Sequence, residues 1–418
     1  MMILTSLLRI LLTKSLKPFI FTSEFEDSLS FESLDNLGLY VHIPFCRSLC
    51  SFCPYCKEHY NKDLAKNYKK ALLREIDLVC RTSTQKKVVS SLYFGGGTPA
   101  LMADDLHEII QKLNTYFIIT DGIGVELHPS DITPSTLKKL QFAGVTMVSI
   151  GIQSFNEDCL QKIGTTYDDF TQKLILLNEF GFEVLDVDLI FGIPGQDKKL
   201  IQKDISTAFD CGATQVSTYP FIDFTFANNC HKPLSHKKKK ELLKSLNRIS
   251  EELGTERTSV WTFAKKESQK YSSVTRDTFL GFGVSATTLL KNTFKINTFS
   301  IEGYIHRINE AKLPTSLTLY FTQRQRAVYY LFWSCYSLKI NKKDFHNLIG
   351  LSLEKMYGFE LYIAQKLGFL TSDTDYYYLT EKASYLYHYI EQQYTTSYID
   401  KMWNISRTVM FPDKIILK

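Results

Sequence analysis

The sequence predicts an α/β fold: a partial (β/α)6 TIM-like barrel followed by a smaller C-terminal α+β accessory domain. Three observations carry this. Six short runs rich in β-branched and aromatic residues alternate with helical periodicity between Leu39 and Pro220, the pattern of successive βα units on a parallel sheet. The residues that follow those runs are polar or glycine-rich, as at the end of a barrel where several strands converge on one site. Beyond about Ser235 the alternation stops, and from about Ser316 the chain becomes rich in Tyr and Phe.

Residues 1–37 read as an N-terminal amphipathic extension. Leu4, Leu7, Leu8, Leu11 and Leu12 fall on one helical face, with Ser6, Arg9, Thr13 and Lys17 on the other. Arg9, Lys14 and Lys17 interrupt the apolar run, so it falls short of the ~20 apolar residues of a spanning helix, and no small-residue cleavage site is evident. No transmembrane span is expected. A helix packing its leucines on its own domain is the preferred reading; a basic helix lying on a membrane surface through residues 1–20 is the alternative.

Residues 38–255 read as the barrel. Its strands are LYVHI (39–43), SLYF (91–94), GIGVELH (122–128), TMVSIGI (146–152), VLDVDLIF (184–191) and TQVSTYP (214–220). Between them lie amphipathic helices, DLAKNYKKALLREIDLV, DDLHEIIQKLNTYF, TPSTLKKLQFAG and DDFTQKLILLNEFG, the last two closing on a glycine suited to a left-handed cap. The run SHKKKKELLKSLNRISEEL begins with Ser235 as N-cap, and Lys237 to Lys240 are expected on a solvated face. Residues 256–315 form a linker segment, in which FLGFGVSATTLL (279–290) is a glycine-bearing turn entering an apolar run ahead of a helix around EGYIHRINEAKLP. Residues 316–418 form a helical, winged-helix-like accessory domain with a strand pair near GFLTSDTDYYYLT, and the aromatics of YYLFWSCYSL are expected in its core.

Composition excludes several function classes. With 418 residues, 44% hydrophobic and 22% charged, the chain is an ordinary globular protein able to bury a core. A net charge of +5, from 49 basic against 44 acidic residues, is too mild and too evenly spread to argue by itself for a nucleic-acid partner, and none is expected. Nine cysteines, with no paired spacing outside one cluster, do not make a secreted disulfide framework, so a cytoplasmic location is expected.

The cluster CRSLCSFCPYC places Cys46, Cys50, Cys53 and Cys56 within eleven residues, directly after the first strand. A disulfide staple, a zinc knuckle and an iron–sulfur cluster compete for it. Thiolates suit zinc and iron–sulfur centres alike, but structural zinc usually takes four ligands in two separated pairs. Three close cysteines hold three irons of a cubane and leave the fourth open.

CxxxCxxC after YVHIPFC, followed by GGGTP (Gly95 to Pro99), VELHPSDIT, VSIGIQSFN, DVDLIFGIPGQ and GFGVSA, resembles the radical S-adenosylmethionine (SAM) superfamily, and within it the oxygen-independent coproporphyrinogen III oxidase family. The likeness covers roughly residues 38–290. It implies a [4Fe–4S] cluster on Cys46, Cys50 and Cys53, with Cys56 outside the ligand set, and SAM chelated at the open iron. Gly95, Gly96 and Gly97 would present bare backbone to the methionine moiety, with Thr98 fixing the turn. Glu126, Gln153 and Asp188, at three strand ends, would bind the cofactor's ammonium and ribose hydroxyls. Tyr40 and His42 match catalytic positions near the cluster and substrate.

The implied function is that of a radical SAM oxidoreductase of porphyrin biosynthesis. An electron from the cluster cleaves SAM to a 5′-deoxyadenosyl radical, which takes a hydrogen atom from coproporphyrinogen III or a related tetrapyrrole before propionate decarboxylation. The electron would come from a low-potential donor such as flavodoxin or ferredoxin. A haem chaperone without turnover and a radical SAM methyltransferase are the alternatives. Thr165 and Met147 stand where the family commonly has arginine, which would remove anion-recognising groups from the mouth of the barrel.

Overall fold

The computed structural model describes residues 2–24, 28–166, 168–227, 229–269 and 277–418. Of the expected N-terminal extension and linker segment, residues 1, 25–27 and 270–276 lie outside that set. The six expected strands form: β1 (Leu37–Ile43), β2 (Leu92–Gly96), β3 (Ile123–Leu127), β4 (Met147–Gln153), β5 (Val184–Phe191) and β6 (Gln215–Pro220). They pair in parallel in simple chain order. Beyond β6 the neighbour is the antiparallel strand Thr262–Ala264, and beyond β1 it is the parallel strand β7 (Thr278–Phe282). The barrel is therefore open. Beyond β7 the sheet runs on through antiparallel strands Thr287–Leu289, Thr293–Asn297 and Thr315–Tyr320 to Phe19–Thr22 and Lys414–Leu417; with Glu256–Arg257 paired outside Thr262–Ala264, it has fourteen strands among the described residues.

Period-2 geometry sorts each barrel strand into two faces. Leu39, Val41, Ile43, Phe94, Val125, Ile150, Val187, Leu189 and Val216 lie in the main hydrophobic core, each almost wholly buried. Each such side chain contributes about 1.5–3 kcal/mol by leaving water. The alternate residues turn inward and are mostly polar. That parity is what puts chemistry inside the barrel.

The N-terminal helix is α1 (Met2–Thr13), and the barrel helices include α2 (Lys62–Cys80), α3 (Ala103–Tyr116), α4 (Pro134–Phe142), α5 (Phe170–Glu179), α6 (Lys198–Asp210) and α7 (His236–Glu252). Side chains of Asn61, Thr133, Asp197 and Ser235 cap α2, α4, α6 and α7 by accepting from backbone N–H groups of the first turn. Gly144 and Gly181, with φ of +89° and +67°, end the helical stretches before β4 and β5.

The GFGVSA segment is strand and tight turn, entering the apolar strand Thr287–Leu289 ahead of the expected helix, which spans Ile301–Asn309. Gly281 lies in β7, where a Cβ would strike the carbonyl oxygen of Thr287, and Gly283, at φ +97°, packs against the Tyr68 hydroxyl. The segment is fastened to α2: Gly283 N–H donates to Glu75 Oε2 at 2.7 Å, as does the Tyr304 hydroxyl at 2.7 Å. Tyr68 in turn donates to the carbonyl of His42 at 2.7 Å, linking α2 to the end of β1.

C-terminal helices α8 (Gln323–Tyr336), α9 (Leu353–Lys366), α10 (Glu381–Tyr394) and α11 (Asp400–Thr408) accompany a three-stranded antiparallel sheet of Lys339–Asn341, Tyr376–Leu379 and Leu370–Ser372, in that order. A π-helical turn, Thr395–Ile399, joins α10 to α11.

Three expectations are overturned. In α1 the leucine face packs only in part: Leu8 and Leu12 are half-buried, Leu12 against the core around Phe345, while Leu4, Leu7 and Leu11 are exposed and the fully buried positions are Thr5, Arg9 and Thr13. The Arg9 guanidinium donates to the carbonyls of Ser15 and Lys17 and so closes the end of the helix; its backbone tie outweighs the leucine periodicity. Within the lysine run Lys239 is buried, because its ammonium donates to the Phe221 carbonyl at 2.5 Å and to Gln392 Oε1 at 2.8 Å. Met147 begins β4, at the end of the strand opposite Gln153. Six residues of strand, about 20 Å, separate the two, so residue 147 does not sit at the barrel mouth.

Candidate active site

The inward residues of the six strands line one cavity of about 1120 Å³, closed on its other side by residues of the C-terminal helices. The structure brings Tyr40, His42, Cys46, Cys50, Cys53, Gly96, Gly97, Thr98, Glu126, Gln153 and Asp188 to its wall. Gly95 is not among the lining residues. A Cβ there would come within 2.8 Å of Glu126 Oε1 and 3.1 Å of Tyr40 Cε2, so this glycine makes room for two neighbours that do line the wall.

The cysteine loop is pinned at both ends. Glu58 N–H donates to the Pro44 carbonyl at 2.7 Å, and Tyr60 N–H to that of Cys46 at 2.9 Å. Inside the loop the Lys57 ammonium donates to the carbonyls of Cys50 at 2.6 Å and Cys53 at 2.8 Å, which turns the peptide dipoles inward on a cation. All nine cysteines are free. Burial, followed by the neighbouring Cys53, pushes the Cys46 thiol up to about 12, with the Thr98 hydroxyl and Lys57 working the other way. Burial and Cys53 also raise Cys50. Cys46 and Cys50, both costly to ionise beside Cys53, suit a cationic centre shared by the thiols of this loop. Among the described residues no Cys, His, Asp or Glu side chains group as ligands of a single metal ion. A cubane takes one thiolate at each of three corners, so this donor set fits a cluster better than zinc. Cys56 turns away, its thiol donating to the Phe299 carbonyl at 3.3 Å.

The GGGTP loop has its amides committed within the protein. Gly96 N–H donates to Glu126 Oε2 at 3.0 Å, Gly97 N–H to the Ile43 carbonyl at 2.7 Å and Thr98 N–H to that of Phe45 at 2.7 Å. Gly96 sits at φ +116°, and a Cβ on it would strike the His42 ring; one on Gly97 would come 2.6 Å from the Phe45 carbonyl oxygen. His42 has both nitrogens engaged. Since a carbonyl only accepts, Nε2–H donates to the Cys56 carbonyl at 2.9 Å, and Nδ1 accepts from the Tyr40 hydroxyl at 3.0 Å. Burial lowers its pKa to about 4, so the imidazole stays neutral. His42 thus joins Tyr40 to the far end of the cysteine loop.

The inward carboxyls form the electrostatic core of the cavity. Burial lifts Glu126 to about 7, against the hydrogen bonds from Gly96 and Tyr93 that hold it down. Asp188 is raised well above the usual carboxylate range by burial and then by Asp186, although Ser149 Oγ donates to it at 2.6 Å. Asp186 accepts on Oδ2 from Gln215 at 2.7 Å and Ser217 at 2.9 Å, while its buried Oδ1 has no partner. No ion pair to Lys, Arg or His is formed by these three acids among the described residues. Asp186, buried, and Glu126 and Asp188, half-buried on the wall, have no cation beside them and so fit a ligand that brings positive charge; SAM carries both an ammonium and a sulfonium.

Gln153 reaches the wall by a backbone irregularity. It has φ +70°, uncommon for a side-chain-bearing residue, and it stands where the β4–β5 register slips between Asp188 and Leu189. The bulge folds its amide back over Gly151, where a Cβ would come within 2.7 Å of Nε2.

Sequence reasoning missed the rest of the wall. Ser149, Asp186, Ser217 and Tyr219 share inward parity with the residues it found, and counting every second position would have reached them. The aromatic wall could not be found that way. Phe332, Trp333 and Tyr336 of YYLFWSCYSL line the cavity, as do Tyr387, Tyr394 and Trp403, whereas Tyr330 belongs to a separate core around Phe345 and Tyr357. Tyr55, from the cysteine loop itself, meets Trp403 with ring centroids 5.9 Å apart.

Comparison with known proteins follows the same lines. Residues 40–208 match the model of the Radical SAM superfamily. The chain is 27% identical to the protein named heme chaperone HemW of Bacillus subtilis (strain 168), over 83% of this chain and 96% of that protein. It is 25% identical to an oxygen-independent coproporphyrinogen III oxidase of Cereibacter sphaeroides, over 68% of this chain and 69% of that protein. Among solved structures, coproporphyrinogen III oxidase (HemN) from Escherichia coli aligns with a TM-score of 0.76 at 20% identity, covering 93% of this chain and 98% of that one. This last likeness is one of fold.

Proposed function

We propose that this chain, whose residues 40–208 carry a radical SAM domain, is a radical SAM enzyme that acts on a tetrapyrrole, with coproporphyrinogen III as the leading substrate. The reading rests on one observation. A three-cysteine loop, a glycine-rich strand end and a set of inward, cation-free carboxyls meet in one cavity large enough for cofactor and substrate together.

Radical SAM domains use a [4Fe–4S] cluster and SAM, which when bound supply reductive cleavage of a carbon–sulfur bond and hydrogen abstraction. Cys46, Cys50 and Cys53 are the cluster's ligands in this proposal. Lys57 and Thr98 hold their loop. Glu126 and Asp188 accept from the cofactor's ammonium and ribose, aided by Gln153, while Gly95, Gly96 and Gly97 keep the strand end narrow enough for Glu126 and His42 to reach the wall. Tyr40, on the cavity wall, is the catalytic candidate, and His42 positions it by accepting from its hydroxyl. The aromatic side chains of the C-terminal helices exclude water around the pyrrole rings of the macrocycle. Electrons come from a low-potential donor of the flavodoxin or ferredoxin class.

A second reading is supported by the haem chaperone that matches along most of the chain. In it the same cavity holds haem and no substrate is consumed. Anaerobically reconstituted protein, given reductant and SAM, separates the two. Formation of 5′-deoxyadenosine with loss of carbon dioxide from coproporphyrinogen III supports the enzyme. Stoichiometric haem binding with no consumption of coproporphyrinogen supports the chaperone.

A further inference from the structure

Helix α10 carries Tyr387 and Glu391 one turn apart, on the same face and on the cavity wall. Glu391 Oε1 accepts from Thr395 Oγ1 at 2.7 Å, but Oε2 is buried without a hydrogen-bond partner, and so is the Tyr387 hydroxyl. The nearby cation, Lys239, is already spent on the Phe221 carbonyl and Gln392. An unsatisfied buried carboxylate oxygen is costly, and native chains keep few without a reason. The helix also departs from α-geometry just here: the π turn Thr395–Ile399 directly follows, and Thr395, Tyr398 and Ile399 all line the cavity. Such turns are frequent at functional sites.

The surroundings of the two orphaned oxygens are aromatic. Phe332 lies 5.4 Å from Tyr387 and 4.7 Å from Tyr394 between ring centroids, and Tyr336 lies 6.4 Å from Tyr387. An acceptor set in an aromatic wall selects a ligand whose apolar rings carry N–H donors. We propose that Glu391, with Tyr387 beside it, is a substrate-recognition subsite that accepts hydrogen bonds from the pyrrole N–H groups of a metal-free tetrapyrrole. This rests on the tetrapyrrole reading above and refines it, because haem has exchanged those hydrogens for iron and offers the subsite no donor. Burial also pushes Glu391 up to about 7, with Thr395 and Lys239 opposing, so an added donor favours its charged form.

All three tryptophans, Trp261, Trp333 and Trp403, line the cavity, so quenching of their fluorescence reports occupancy without turnover. Anaerobically reconstituted protein lacking SAM and reductant is titrated separately with coproporphyrinogen III and with haem, as wild type, Glu391→Leu, Glu391→Gln and Tyr387→Phe. Glu391→Leu is expected to weaken coproporphyrinogen binding about tenfold or more and leave haem unchanged, and Glu391→Gln, which keeps one acceptor, to recover part of the loss. The unfolding midpoint of each variant guards against a merely misfolded protein. Equal weakening of both macrocycles, or no weakening of either, overturns the subsite while the tetrapyrrole reading stands. Loss of haem alone in Tyr387→Phe also overturns it, since the phenol would then be an iron ligand. A wild type that binds neither macrocycle overturns the subsite and the tetrapyrrole reading together.

Discussion

His42 Nε2 donates to the carbonyl oxygen of Cys56 at 2.9 Å. This bond ties the last turn of the first barrel strand to the far end of the cysteine loop, so the three thiols between Cys46 and Cys53 are held against the barrel before any cluster is built. The neighbouring thiol, that of Cys56, is turned toward the Phe299 carbonyl.

That division among the cysteines has a direct consequence. Cys50→Ala is expected to lose most bound iron and sulfide after anaerobic reconstitution and to abolish SAM cleavage. Cys56→Ala is expected to retain both, at a cost of about 1 kcal/mol in stability for the lost thiol contacts. Iron and sulfide quantitation checks this, and retention of a full cluster by Cys50→Ala would falsify the ligand assignment.

Glu126, proposed above to bind the cofactor, also bears on stability. Burial raises its pKa from 4.5 to about 7. The folded state therefore binds more protons than the unfolded one between those values, and its stability falls as pH rises through that window, by up to about 3 kcal/mol. Glu126→Gln keeps an acceptor for the Gly96 N–H and removes the charge. It is expected to unfold at higher denaturant than wild type at pH 8, to differ little at pH 4, and to lose SAM affinity. Denaturation at both pH values tests the sign; a less stable variant at pH 8 rejects it.

Gly96 combines φ +116° with the His42 ring packed against the place where a Cβ would stand. Gly96→Ala is expected to lose roughly 2–4 kcal/mol, from strain plus displacement of the imidazole. Adding His42→Ala relieves only the steric part, so the double variant should be less destabilised than the sum of the singles. Strict additivity in urea titrations of the four proteins would mean the two residues do not press on one another.

In the N-terminal helix the polar face is the one that holds. Arg9→Ala is expected to cost about 1–3 kcal/mol by releasing the carbonyls of Ser15 and Lys17. Leu7→Lys, at a position 57% exposed, should stay within about 0.5 kcal/mol of wild type. Thermal unfolding of the two variants decides it, and the reverse order of effects would restore the leucine face as the packing face.

Local pattern was enough to place the six strands, the helix caps at Ser235 and the glycine-closed helix ends, because β-branched runs, capping side chains and left-handed glycines act over a few residues. It also located the cysteine loop, the GGGTP turn and the acids Glu126 and Asp188, since strand ends in a βα unit all point one way. Period-2 parity, also readable along each strand, reaches Asp186, Ser149 and Tyr219. Tertiary structure alone decided the rest of the wall, beginning with the register slip that swings Gln153 onto it. A wall of aromatics and the orphaned Glu391 arrives from α8 and α10, more than 100 residues beyond the last barrel strand. The same holds for Arg9 and Lys239, whose burial follows from distant carbonyls that meet them. Periodicity records which residues prefer to leave water; it carries no term for a hydrogen-bond partner brought close by folding, and at these positions that term is the larger one.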